Sequence, residues 1–524
     1  MSISQRPLSP PKSEIAIPRK AQCKAWLARF YVGMLKRVEV SQRDGALVGS
    51  EIAKDRFDAE DFDTFQTRLA RELALLRQIQ RQTQQSGGLS DEGPIIGLEL
   101  EAWLIDHNFF PAPHNQSFLE RLDGDSVVAE LSRFNIEINT PVETIAGEGL
   151  GRMHVHLSET MRHCASNAHE DVDTVIAIGT LPTLREEDLS LDMMTPSNRY
   201  AALNREAMRH RGGAPISFDI EGYKDGPGFS RTYQDVMAEA ATTSLQLHLQ
   251  LPDEKMVGAY NASLLLSAPL VAISANAPFL FGNPLWHETR IPIFEQALAQ
   301  PTQAQRVTFG SGYVKDHLIE LFEENFSEYP VMLPMCDDQK TDADFSCLKL
   351  HNGTLWRWVR PLIGRSSDGK PHIRIEQRVM SAGPSVLDMM ANAAFYFGAV
   401  EELGGYINHA IRELPFEKAR ANFYAAARYG LDAQIIWFGK KDRRPITDVL
   451  EDLIPLAERG LRKLGMAEHL IDKYLSTVSM RLETRQNGAS WQLAQFEHHG
   501  DFHRLTADYL ANQKSGLPVH EWPN

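Results

Sequence analysis

The sequence predicts an α+β protein: an antiparallel β-sheet with helices packed on its other face and helical extensions at both ends. Two observations carry this prediction. Five short stretches between residues 97 and 379 alternate polar and apolar side chains, which marks antiparallel strands with one buried face. Helical periodicity dominates before residue 90 and after about 415.

The 524 residues suffice for a sizeable core. Residues 1–20, "MSISQRPLSPPKSEIAIPRK", are rich in Pro and Ser and are expected to be disordered. Helical patterns follow near 21–39 and 60–84, the second with Phe65, Leu69, Leu73 and Leu76 on one face, so 21–90 reads as a helical extension. "QQSGGLSDEGP" ends it as a linker. Residues 91–415, where strands alternate with helices, form the core, and 416–524 a helical region packed on it. The uncharged run "ASLLLSAPLVAISANAPFLF" (262–281) is long enough to span a bilayer. It contains Pro269, Asn276 and Pro278 and lacks flanking basic clusters, so it reads as a buried helix followed by a loop.

A net charge of −15 argues against nucleic acid or an anionic membrane as the main partner. Cys23, Cys164, Cys336 and Cys347 form no C-x-x-C pair and read as free thiols of a reducing compartment, the cytoplasm by default. Charged residues interrupt the N-terminus, and no targeting segment is expected there.

The polar faces of the alternating stretches carry the chemistry. "GLELEAWLID" puts Glu99 and Glu101 on one face, and "RFNIEINTP" presents Asn135, Glu137 and Asn139. "TTSLQLHLQL" presents Ser244, Gln246, His248 and Gln250, "TLWRWVRP" Trp356, Trp358 and Arg360, and "PHIRIEQRV" Arg374, Glu376 and Arg378. None of these faces holds a lysine, unlike an ordinary solvated sheet surface. Two carboxylates at i and i+2 lie roughly 7 Å apart, and both stay ionised cheaply only beside water or a cation. Carboxylates with one imidazole suit Mg²⁺, which often shares its shell with substrate phosphates. No P-loop, G-x-G-x-x-G, H-E-x-x-H or G-x-S-x-G motif competes with this reading. His154 and His156, in "RMHVHLSETMRHC", fall on a helical pattern where i and i+2 point apart, and read as solvated helix histidines.

Eight stretches in register, "GLELEAWLID", "NIEINTPVE", "SLQLHLQL", "SANAPFLFG", "ETRIPIFEQ", "WRWVRP", "HIRIEQRV" and "ARYGLDAQII", resemble the glutamate-cysteine ligase family of the bacterial and plant type, which includes the carboxylate-amine ligases. The resemblance runs from about residue 94 to about 495. Its G-x-E-x-E and R-x-E-x-R strands are also similar to those of glutamine synthetase, which implies a curved sheet with a concave active-site face. It implies Mg²⁺ ligands at Glu99, Glu101, Glu137, His248 and Glu376. Arg290 and Gln246 would meet the glutamate substrate, with Arg290 on its α-carboxylate. Arg360 and Arg378, with Glu376, would serve the phosphate in transfer, and Asn276 would shape a loop.

The activity so implied joins the γ-carboxylate of glutamate to the amine of cysteine through a γ-glutamyl phosphate, with ATP and Mg²⁺, a step of glutathione biosynthesis. A ligase of the same fold using another amine or acid, and a non-catalytic nucleotide-binding regulator, are the alternatives. A metal-dependent amidohydrolase is a weaker one. The assembly is left open, a homodimer among the options.

Overall fold

The computed structural model describes residues 51–523, apart from 83–87, 123, 168–173, 302–303, 338 and 440–441. The expected disordered segment 1–20 and the helical pattern at 21–39 lie outside the described residues. The second pattern forms helix α1 (Ala59–Gln82), whose Phe65, Leu69, Leu73 and Leu76 are all buried.

Eight strands make the main sheet: β1 (Ile95–Ile105), β2 (Val127–Ala129), β3 (Asn135–Asn139), β4 (Glu143–Thr144), β5 (Thr174–Ile176), β6 (Ser244–Gln250), β7 (Val359–Arg365) and β8 (Pro371–Ser381). They run in the order β7-β8-β6-β1-β3-β2, with β4 and β5 also paired to β1. All these pairings are antiparallel, as the alternation requires.

Register decides which side chains share a face. Glu101 lies opposite Glu137, Glu99 opposite both Asn139 and Gln246, and Glu376 opposite both His248 and Arg360. One face of the sheet therefore collects the charged groups of five strands. The other face, with Leu98, Leu100, Ile136, Ile138, Leu245, Leu247, Leu249 and Ile375, is buried. There β8 packs against α4 (Asp253–Ser274), which follows α3 (Asn198–His210) along the chain and in turn packs on α6 (Val386–Gly404).

The long uncharged run falls in α4, and 89% of its most apolar window is buried inside the protein. Its serines are satisfied locally: Ser263, Ser267 and Ser274 each donate to the carbonyl four residues earlier. Asn276, just beyond, donates to the Ala382 carbonyl and to Tyr509 Oη and accepts from Gln492, so it ties its loop to α10 (Gly488–His499) and α11 (Phe502–Ser515).

Two expectations need correction. "TLWRWVRP" is not one strand. Trp356–Arg357 pairs in parallel with Val307–Thr308, the chain changes partner at Trp358, and only Val359–Arg365 joins the main sheet. The Trp358 indole donates to Glu295, so of Trp356, Trp358 and Arg360 only Arg360 reaches the charged face. His154 and His156 do lie on a helix, α2 (Gly149–Ser166), but both are half-buried rather than solvated. The His154 ring stacks on Tyr474, with Nδ1 3.0 Å from its hydroxyl.

Past residue 416 the helices α7 (Phe416–Tyr429), α8 (Ile446–Lys463) and α9 (Glu468–Thr484) precede α10 and α11. The chain end docks as well, with Trp522 against Trp491 and Tyr509. Helices α6 and α8 cross at glycines: a Cβ on Gly460 would stand 1.9 Å from the Gly398 carbonyl oxygen. Backbone cannot yield there as a side chain could, so Gly460→Ala is expected to cost roughly 1–3 kcal/mol or more. Thermal unfolding checks this, and an unchanged midpoint would mean the crossing is looser than drawn.

Candidate active site

The charged face is organised by its arginines. Glu376 accepts a bidentate pair from Arg360, at 2.7 and 2.9 Å, and a further bond from Arg378 at 3.0 Å. Burial alone would raise the Glu376 carboxyl, but the two guanidinium groups outweigh it and hold the group far below the usual range. Arg378 also donates to Gln246 (2.8 Å), Gln246 donates to Glu101 (2.9 Å), and the Ser244 backbone N–H donates to the other Glu101 oxygen (2.6 Å). One chain of bonds thus runs from β7 through β8 and β6 to β1. An extra residue in β8 between Gln377 and Met380 breaks its pairing with β6 locally, beside Arg378.

The expected metal ligands fall into two sets of three, in each of which the ligand atoms lie within 4.8 Å of one another. One set is Glu99, His248 and Glu376. The other is Glu101, Glu137 and Glu130, the last absent from the sequence-based expectation.

The second set holds oxygen ligands only, as Mg²⁺ prefers. Burial, reinforced by Glu130, pushes the Glu101 carboxyl up to about 7. Burial and the neighbouring Glu99 and Glu130 push Glu137 well above the carboxylate range, and burial raises Glu130. Three carboxylates that cannot all ionise unaided are what a divalent cation relieves, so these residues fit Mg²⁺.

The mixed set is more occupied by protein. His248 Nδ1 accepts from Arg374 at 3.2 Å, and its Nε2 lies 2.9 Å from Glu99. For Glu99 burial works upward, but the adjacent His248 outweighs it and the net shift is downward.

Beside the acid set opens a pocket lined among others by Glu101, Glu130, Glu239, Arg290, Phe294 and Arg378. Arg290 begins α5 (Arg290–Ala297) and is buried. Its Nε pairs with Glu288 at 3.2 Å and its Nη2 donates to the Arg378 and Val379 carbonyls, at 3.2 and 2.6 Å. The fold therefore brings Arg290 and Arg378 to one cavity from a helix and a strand 88 residues apart.

A sequence profile of glutamate-cysteine ligase family 2 matches residues 95–508. The chain belongs to this family. A relative from Frankia casuarinae, provisionally named a glutamate-cysteine ligase 2, is 33% identical over 162 residues, which cover 29% of this chain but only 40% of the relative. One from Mycolicibacterium vanbaalenii, provisionally named in the same way, is 23% identical over 430 residues, covering 80% and 94% of the two chains. The crystal structure of the Francisella tularensis glutamate-cysteine ligase in complex with AMP superposes with a TM-score of 0.56 at 12% identity, covering 82% of this chain and 90% of that one. The mixed architecture with its curled antiparallel sheet is thus the fold of that ligase.

Within this glutamate-cysteine ligase family fold, sequence reading missed Glu130 and Glu239. Glu130 follows a strand of only three residues, too short to show alternation, although its spacing from Val128, opposite Glu137, places it on the charged side. Glu239 sits in a 3₁₀ turn, Met237–Ala241, and enters the pocket only because that turn packs on α5. Burial, then the nearby Glu130 and Glu101, push its carboxyl up to about 8.

Proposed function

We propose that this chain is an ATP- and Mg²⁺-dependent ligase that joins the γ-carboxylate of glutamate to an amine, that of cysteine in the first instance, through a γ-glutamyl phosphate. The observation that carries this reading is the juxtaposition of an oxygen-only acid triad with paired arginines around one cavity. Family membership and the AMP held by the Francisella tularensis ligase support a nucleotide here.

A carboxylate has no good leaving group, so its oxygen must first take the γ-phosphoryl of ATP. The protein's part is then to position anions and spread their charge. Glu101, Glu130 and Glu137, with Glu99, His248 and Glu376 as the second set, would hold Mg²⁺, which neutralises the ATP phosphates. Arg378, fixed by Glu376 and Gln246, faces the transferring group, and Arg360 shares the Glu376 anchor. Arg290 takes the α-carboxylate of glutamate, and Gln246 holds Arg378 and Glu101 in register. The amine displaces phosphate from the acyl group.

Phosphate release from ATP across a panel of amino-acid pairs, with and without Mg²⁺, tests this reading. Turnover that needs no acid substrate, or no divalent ion, would overturn it.

The acid cluster also sets a pH dependence. The raised carboxyls keep protons in the folded chain that the unfolded chain loses near pH 4.5, so folding is favoured below that and loses ground as pH rises through about 7. Metal-free protein is therefore expected to melt at a lower temperature at pH 8 than at pH 6, and Mg²⁺ to raise the midpoint more at pH 8. Differential scanning fluorimetry at the two pH values decides; equal Mg²⁺ shifts would detach the metal from these carboxyls.

A further inference from the structure

Three polar atoms around the pocket are buried and accept or donate no hydrogen bond among the described residues: Glu239 Oε2, Asn135 Nδ2 and Ser244 Oγ. Asn135 and Ser244 are each only 3% exposed. A buried polar group without a partner calls for an explanation, and these three share one cavity lining.

Of the three carboxylates lining that pocket, Glu101 and Glu130 belong to the acid triad, whereas Glu239 joins neither candidate metal set. Arg290 commits Nε and Nη2 to protein, and its Nη1 makes no hydrogen bond among the described residues. Both residues line this pocket, and the turn carrying Glu239 packs on the helix that begins at Arg290. The rest of the lining includes Leu131, Ala240 and Phe294, apolar surface suited to methylene groups.

We infer that Glu239 receives the α-ammonium group of the acid substrate, so that Glu239 and Arg290 together read a zwitterionic amino-acid head and make the enzyme select α-amino acids over plain dicarboxylates. The inference rests on the ligase reading above and adds a specificity determinant to it. An ammonium group offers donors only, and neither arginine of the cavity can accept from it. Glu239 supplies the acceptor, and an ammonium group lying against it favours the ionised carboxylate, which then supplies the opposite charge. Asn135 Nδ2 and Ser244 Oγ, which make no hydrogen bond among the described residues, complete the set of polar contacts: the Asn135 amide can donate to the carboxylate, and the Ser244 hydroxyl can donate or accept.

The test uses the whole chain with ATP, Mg²⁺ and hydroxylamine, whose nitrogen forms the new C–N bond as the acyl C–O bond to phosphate breaks. Hydroxamate formation is compared for glutamate and for glutarate, which lacks the amino group, in wild type and in Glu239→Gln. The wild type should prefer glutamate strongly. Glu239→Gln should lower kcat/KM for glutamate about 10- to 100-fold, mainly through KM, the range of a lost charged hydrogen bond. Its activity on glutarate should stay within about threefold of wild type, which also shows that the variant is folded. An equal loss on both acids, or none on either, would overturn the assignment of Glu239 while leaving the ligase reading intact. A wild type that makes no hydroxamate from any acid would overturn both.

Discussion

Glu101→Gln and Glu130→Gln are each expected to reduce Mg²⁺-dependent ATP turnover at least about a hundredfold, the loss typical of removing one electrostatic group from a catalytic centre. Glutamine keeps the size of the side chain and can still accept the Ser244 N–H that holds Glu101 in place. The fold should therefore survive. What changes is charge: the triad drops from three potential anions to two, and its hold on a divalent cation weakens. Turnover measured against Mg²⁺ concentration should show a higher half-saturation as well as a lower plateau. Glu130→Gln is the sharper probe, because Glu130 enters the proposal only through its position beside Glu101 and Glu137. Wild-type-like turnover in Glu101→Gln would reject the triad as a metal centre, and in Glu130→Gln alone would return the centre to the smaller ligand set.

The strands of the charged face were legible because period-2 alternation is a local signal. Glu99, Glu101, Glu137, Gln246, His248 and Glu376 could be put on one side of their strands from spacing alone. Their grouping could not, since Glu101 meets Glu137 and Glu376 meets His248 through strand register, a property of pairs of segments. Trp358 shows the limit from the other side. Its polar-apolar neighbours continue the alternation straight through a point where the chain leaves one sheet for another, and nothing in the residues marks that change of partner. Glu239 had no pattern to appear in: its turn is five residues long, and its place in the pocket depends on contact with a helix some fifty residues later. Glu376 is the residue whose character the structure altered most. As one acid in a row of charges it reads as a metal ligand, but three bonds from two arginines give it a second task as the anchor that aims them.

Arg378→Ala and Arg290→Ala are expected to damage different quantities, although both arginines line one cavity. Removing Arg378 leaves Glu376 still paired with Arg360 in bidentate fashion, so no buried charge is stranded. Under the proposed assignment the loss then falls on the transferring phosphoryl group, whose charge Arg378 would meet most strongly at the transition state. The expected result is a fall in kcat of about a hundredfold or more with a smaller change in the KM for glutamate. Removing Arg290 should raise the KM for glutamate and leave ATP binding nearly intact, because a ground-state ion pair to the α-carboxylate is lost. It also strands Glu288, which is fully buried, and releases the Arg378 and Val379 carbonyls from their donor. Breaking a buried pair on one side costs roughly 3–5 kcal/mol, so Arg290→Ala should melt earlier than wild type, whereas Arg378→Ala should not. Arg290→Lys keeps a positive charge beside Glu288 but loses the planar fork, and should recover stability while keeping part of the KM defect. Kinetics run well below each variant's melting temperature separate the two effects. If both alanine variants lose kcat and KM in the same proportion at such a temperature, the division of labour fails and the pair reduces to a general anion pocket.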